Sequence, residues 1–196
     1  MNHLLNLAVR GVLSFNCLLL LFEGDTLAQE GYQMPPEALA KLVDSPPTPT
    51  ASFSPDRKSI LLRGQPSLPL ISELAEPELR LAGIRINPRN NGPSRQTSFN
   101  QLTLQKLDED RRPVTGLPEG ARIRNVRWSP DGEYVAFTLD REERIDLYVI
   151  EVATAEARSL MAASINDAAY GAPFEWVSGS RTLVVRIVPS DRGAPP

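Results

Sequence analysis

The chain has 196 residues, with 21 Lys and Arg against 24 Asp and Glu, so its formal charge is −3 and nucleic acid is a poor partner for it. Its single histidine, His3, and single cysteine, Cys17, both fall in the first 28 residues. Beyond residue 28 this excludes Ser-His-Asp and Cys-His catalysis, disulfides and His/Cys metal sites, so stability there must come from packing.

Residues 1–28 read as a secretory signal peptide. Arg10 precedes an apolar run from Val12 to Phe22, and Thr26-Leu27-Ala28 offers small residues for cleavage. The run is too short to cross a bilayer, so no stable membrane anchor is expected after cleavage near Ala28, and the destination is secreted or periplasmic. Asn16 before Cys17 is not small, which argues against lipid attachment at that cysteine. Losing Arg10, Glu23 and Asp25 leaves 20 basic and 22 acidic residues, a net charge of −2.

Residues 29–50 form a Pro-rich N-terminal arm with Pro35, Pro36, Pro46, Pro47 and Pro49. Within it Glu37 to Val43 has helical spacing, and Leu39, Leu42 and Val43 favour packing over the other reading, a disordered linker.

Residues 51–196 carry one unit three times. The first, near 51–107, has Phe53-Ser54-Pro55-Asp56-Arg57 and then Ser59-Ile60-Leu61-Leu62, with an insertion over 64–98. The insertion predicts a short helix ending before Pro77 and two half-buried extended pieces, Leu79 to Leu81 and Ile84 to Ile86, around Gly83. Leu102 and Leu104 alternate with polar residues in a strand that closes the unit. The second unit, 121–161, centres on Trp128-Ser129-Pro130-Asp131-Gly132, in which Pro130 presets φ, Asp131 bonds to nearby backbone and Gly132 takes a positive φ. Strands either side of that turn, then Asp146 to Glu151 and Ala157 to Leu160 about the turn 153–156, predict a four-stranded antiparallel meander. The third unit, 174–196, has Trp176-Val177-Ser178-Gly179-Ser180-Arg181 before Thr182-Leu183-Val184-Val185. From Trp128 to Trp176 is 48 residues, one repeat of a β-propeller, while Phe53 to Trp128 is 75, the excess being the insertion. The fold expected is all-β: an incomplete propeller of about two and a half blades.

Candidate chemistry is sparse. No Gly-x-Ser-x-Gly turn occurs, and a Ser-Lys nucleophile pair, Ser59 beside Lys58 for example, is only formally possible because no supporting geometry is encoded. Asp108-Glu109-Asp110 lacks the spacing of a calcium loop and reads as a hairpin tip. The mixed-charge run Asp140-Arg141-Glu142-Glu143-Arg144 reads as a solvated turn. Arg122, Arg124 and Arg127 could form a basic patch, with a structural role the stronger reading. Trp128, Trp176, Phe53 and Phe137 share template positions and read as core residues rather than a stacking platform. No catalytic, cofactor-binding or metal-binding residue is assigned, and no cofactor is expected.

The unit from Trp128-Ser129-Pro130-Asp131-Gly132 through Ile150 resembles the blade of TolB-type propellers, which occur in periplasmic Tol proteins and prolyl oligopeptidase-family serine peptidases. Four further stretches resemble the N-terminal region of that family's glutamyl-endopeptidase branch: Val43 to Pro49, Leu79 to Pro88, Ala172 to Trp176, and Asp191 to Pro196. The resemblance implies a propeller that gates substrate access to a C-terminal α/β-hydrolase domain, which would perform peptide hydrolysis and lies outside these 196 residues. No active-site residue of that family can be carried onto this chain, so activity alone is not expected. A standalone TolB-like binding module and an inactive truncated gene product remain the alternatives.

Overall fold

The computed structural model describes residues 34–179 and 181–191. The expected leader lies outside them, as do residues 192–196 of the last family-like stretch. The chain divides into two compact units, residues 1–40 and 41–196. Helix α1 (Glu37–Asp44) starts directly after Pro35-Pro36, and the Pro36 carbonyl accepts from the Leu39 and Ala40 amides at 2.8 and 3.1 Å. None of its residues is buried, and Leu39, Leu42 and Val43 all face solvent, contrary to the packing their spacing predicts.

The larger unit is mostly β, in several small antiparallel sheets. In chain order come β1 (Thr50–Phe53), β2 (Ser59–Gly64), helix α2 (Ile71–Leu74), β3 (Leu79–Leu81), β4 (Ile84–Asn87), β5 (Gly92–Pro93), β6 (Gln101–Lys106) and β7 (Arg112–Pro113). They are followed by β8 (Arg122–Trp128), β9 (Tyr134–Asp140), β10 (Ile145–Glu151), β11 (Glu156–Ser159), β12 (Phe174–Trp176) and β13 (Leu183–Val185). The first sheet has order β1-β2-β6-β7 and the second β8-β9-β10-β11, each a meander of neighbours. β12 and β13 make a two-stranded third sheet, and β3-β4-β5 a separate sheet between β2 and β6. Leu79 and Leu81 of β3 are exposed rather than half-buried, while Ile84 and Ile86 are half-buried as expected.

The turns that start the first and second sheets match atom for atom. The Ser129 hydroxyl donates to Asp131 Oδ1 at 2.5 Å and accepts from the Tyr134 amide at 2.9 Å, while Asp131 Oδ1 also accepts from the Glu133 amide at 3.0 Å. In the first sheet the Ser54 hydroxyl donates to Asp56 Oδ1 at 2.6 Å and accepts from the Ser59 amide at 2.9 Å, with the Lys58 amide on Asp56 Oδ1 at 3.1 Å. Both serines are buried, so each replaces lost water with a charge-assisted bond and a backbone bond. Gly132 has φ 74°. Its counterpart Arg57 takes φ 61° without the freedom of glycine. The third turn has Gly179 at φ 68°, but Val177 stands where the other two have serine.

Registers extend the match: Phe53 opposes Ile60, Trp128 opposes Val135, and Trp176 opposes Leu183. Two apolar cores follow. One joins Leu61, Leu102 and Leu104 of the first sheet to Val135, Phe137, Leu139 and Ile150 of the second, with Trp128 against it. The other joins Ala136, Ile145 and Leu147 of the second sheet to Phe174, with Trp176, Leu183 and Val185 against it. Each indole also reaches back one sheet: Trp128 Nε1 donates to Ser52 Oγ at 3.1 Å, and Trp176 Nε1 to the Arg127 carbonyl at 3.3 Å. Ser52 and Arg127 each precede the template aromatic of their own sheet. Phe137 is fully buried and both tryptophans are partly so, but Phe53 is 62% exposed, which corrects its assignment to the core.

Candidate functional site

The most constrained polar group lies where the segment between β4 and β5 meets the second sheet. Alternation along β8 changes phase: Ile123 faces the first core, and so do Val126 and Trp128. A β-bulge between Arg124 and Arg127 supplies the extra residue, with Asn125 at φ 52°. The bulge turns Arg124 and Asn125 onto one buried cluster. Arg124 grips Asp140 with two bonds, Nε to Oδ2 at 2.9 Å and Nη2 to Oδ1 at 2.8 Å, and its Nη2 lies 3.2 Å from Asp167 Oδ2. Asn125 Nδ2 donates to Thr138 Oγ1 at 3.0 Å and to Asp167 Oδ2 at 2.9 Å.

Two carboxylates thus share one buried guanidinium. Burial pushes the Asp167 carboxyl above its ordinary value, and the Asp140 charge adds to this, while Arg124 and the Asn125 amide oppose it. The insertion closes over the cluster through the Asn91 carbonyl and the Asn90 side chain. The Asp167 amide donates to the Asn91 carbonyl at 3.0 Å, Asn90 Oδ1 accepts from the Gly92 amide at 2.9 Å, and Asn90 Nδ2 donates to the Arg141 carbonyl at 3.1 Å. A Cβ on Gly92 would lie 2.7 Å from Ile145 Cδ1 and 3.2 Å from Arg124 Nη2, so a side chain there would push the Ile145 and Arg124 side chains aside. Beside the cluster opens a cavity of about 340 Å³ whose wall includes Arg85, Ser94, Asn125, Asp167 and Tyr170.

This arrangement can fix chain segments and offer polar contacts. It sets no nucleophile beside a base. Ser59 is buried, its amide on Ser54 Oγ, and the Lys58 ammonium lies 4.0 Å from Asp56, so the two form no catalytic pair. The three arginines of β8 do not make a patch either. Arg122 pairs with Glu73 and Glu76 at 3.1 and 2.7 Å and Arg124 is in the cluster, which leaves Arg127 as the exposed one of the three. The mixed-charge run 140–144 is more than a solvated turn: Asp140 is buried against Arg124, and Arg141 and Arg144 converge on buried Asp146 at 3.2 and 2.9 Å. The run 108–110 does form the hairpin tip between β6 and β7, with Lys106 and Glu109 3.5 Å apart. Among the described residues no group of three or more Asp and Glu could hold a metal ion, and no helix is long and apolar enough to cross a membrane.

Asn125 and Asp167 escaped the sequence reading. The change of phase from Ile123 to Val126 was the one available signal for Asn125, and Asp167 stands in an irregular segment whose partners are distant in sequence.

No protein-family model matches the chain. A probable chloroplastic glutamyl endopeptidase of Oryza sativa subsp. japonica is 39% identical over 181 aligned positions, covering 86% of this chain and 19% of that protein. Its counterpart in Arabidopsis thaliana is 38% identical over 188 positions, covering 89% of this chain and 19% of that protein. The chain therefore spans about a fifth of the length of these curated relatives.

Proposed function

Because the chain is homologous to the N-terminal part of plant glutamyl endopeptidases of the prolyl oligopeptidase family, we propose that it is the non-catalytic propeller segment of a serine peptidase. In this reading it gates the access of peptides to an α/β-hydrolase domain that lies outside these 196 residues and performs the hydrolysis. The carrying observation is the extent of the match, which runs along most of this chain but only a fifth of each relative. The sheet template supports the propeller: two meanders and the start of a third, the second and third each packed on the one before and each sending an indole back to it.

The test is to read the gene past the codon for Pro196 and express the whole frame. An in-frame Gly-x-Ser-x-Gly turn, labelling by an active-serine probe, and broader acceptance of large peptides once residues 51–191 are deleted are the results expected. A frame without that turn would end the peptidase reading and leave a binding module or an inactive remnant. For localisation we propose export through residues 1–28, although the relatives are named as chloroplastic. N-terminal sequencing of the mature protein checks it, with a first residue close after Ala28 expected.

A further inference from the structure

The cavity of about 340 Å³ beside Asn125 and Asp167 joins two charge clusters that are unbalanced in opposite senses. On the wall from the second sheet and residues 167–171, the single guanidinium of Arg124 serves two carboxylates, Asp140 at 2.8 Å and Asp167 at 3.2 Å, all three groups buried. On the wall from the insertion the reverse holds: the single carboxylate of Glu78 serves three guanidiniums, Arg80 at 2.8 Å, Arg95 at 3.3 Å and Arg85 at 3.5 Å. Of these groups Asp167 and Arg85 line the cavity, each tied to its own cluster rather than to the other. Arg124 and Asn125 both reach Asp167 through Oδ2. Arg85 makes the longest of the three pairings with Glu78, and its side chain is about half exposed. Arg186, a further cation near Asp167, is occupied by the Tyr170 and Gly171 carbonyls at 3.3 and 2.9 Å, which ties that wall to the segment after β13.

The geometry points to a binding site for a small zwitterion, an α-amino acid or a dipeptide with both termini free, its ammonium group on Asp167 and its carboxylate on Arg85. Small-molecule sites run from about 300 to about 1,000 Å³, so a cavity at the lower end of that range suits such a ligand better than a long peptide. An ammonium at Asp167 supplies the positive partner that the Arg124 cluster lacks. Burial, with the Asp140 charge, holds that carboxyl above its ordinary value, and a cation beside it opposes both. A carboxylate at Arg85 meets a planar guanidinium fork that can hold it by two bonds. Ile84, Pro93 and Ala168 add an apolar stretch of wall for the ligand's side chain. The inference rests on these two clusters and goes beyond the peptidase reading, so its outcome is independent of the gene and active-serine tests.

Calorimetric titration of the full 196-residue chain with L-leucine and with alanyl-leucine tests it. Each ligand is also used in N-acetylated form, which lacks the ammonium, and as its amide, which lacks the carboxylate. At least one of the two zwitterions should bind at millimolar concentration, and the tighter one gives the span of the site. Blocking either end of that ligand should weaken binding about tenfold or more. Arg85→Gln, at a half-exposed position, should bind the free ligand and its amide alike while still preferring a free ammonium. Asp167→Asn should do the converse, and if that variant fails to fold the Arg85 variant decides alone. No binding of either zwitterion, blocked ligands that bind as tightly as the free ones, or an Arg85 variant that keeps the wild type's preference for a free carboxylate would each overturn the inference.

Discussion

Phe53 and Trp128 occupy the same place beside the same turn, yet the first stands in solvent and the second packs between two sheets. The first sheet has one face in a core, the second has both. The local pattern of an aromatic, a serine-aspartate turn and an alternating strand is written in the residues. Burial is not, because it depends on which sheet comes before and after. Substitutions at matched positions should therefore differ between the two sheets wherever a neighbour is involved, and agree wherever the turn alone is involved.

The largest contrast is electrostatic. Arg124→Ala would leave Asp140 and Asp167 buried without their cation, and breaking a buried pair this way costs about 3–5 kcal/mol. Arg80→Ala removes a mostly exposed partner of Glu78 and should cost less than about 1 kcal/mol. Urea unfolding of the two variants measures both. Similar losses would mean that burial does not set the two ion pairs apart.

Apolar truncation comes next. Phe137 and Leu62 are template equivalents, the one fully buried against Tyr148 with ring centroids 5.6 Å apart, the other half-buried on the outward face. Phe137→Ala should cost about 3–5 kcal/mol. Leu62→Ala should cost about 1 kcal/mol, roughly half of what full burial of a leucine contributes. Equal losses would show that the outward face of the first sheet is covered in solution.

Ser129→Ala and Ser54→Ala ask the opposite question. Each removes the acceptor of a buried backbone amide and the donor to an aspartate, so each should cost about 1–3 kcal/mol, and by nearly the same amount. The same serines leave a mark on acid stability. Their hydroxyls, with the following backbone amides, hold Asp56 and Asp131 below the ordinary carboxylate range. A lowered folded value adds stability above the unfolded pKa, and this is lost as pH falls through the folded one. The serine variants should therefore lose less stability on acidification than the wild type. Asp167 has the opposite sign. With its folded value raised by burial, its contribution is greatest below the unfolded pKa and disappears as pH rises through the folded one. Asp167→Asn should remove that fall, read as urea midpoints from about pH 3 to about pH 6.

These contrasts also explain what could be read in advance. The Ser-Pro-Asp-Gly turn and the meander around it were legible because both rest on neighbours in sequence: Pro130, Asp131 and Gly132 act within a few residues. The order of sheets was legible from the recurrence of Phe53, Trp128 and Trp176. The cluster around Arg124 was not, because its members come from β8, β9 and an irregular segment, and a bulge at Asn125 breaks the alternation that would have aimed them. The exposure of Phe53, Leu79 and Leu81 was hidden for the converse reason: alternation identifies a face but not its partner.

The smallest effect isolates the one place where the two turns differ in backbone. Arg57 and Gly132 share a left-handed conformation, φ 61° and 74°, and a side chain there crowds the following carbonyl. Arg57→Gly relieves that strain but gives the unfolded chain more freedom, so the two terms largely oppose each other and the net gain should be no more than about 1 kcal/mol. Gly132→Ala runs the exchange backwards. A Cβ at Gly132 would meet Ser54 Cβ and Asp56 Oδ1 at 3.5 Å, ordinary contact distance, so its cost comes from φ alone and should be about 1 kcal/mol. If thermal melts instead show Gly132→Ala losing several times what Arg57→Gly gains, the turns are not equivalent: the contact of the second turn on the first, absent for the first, sets the difference.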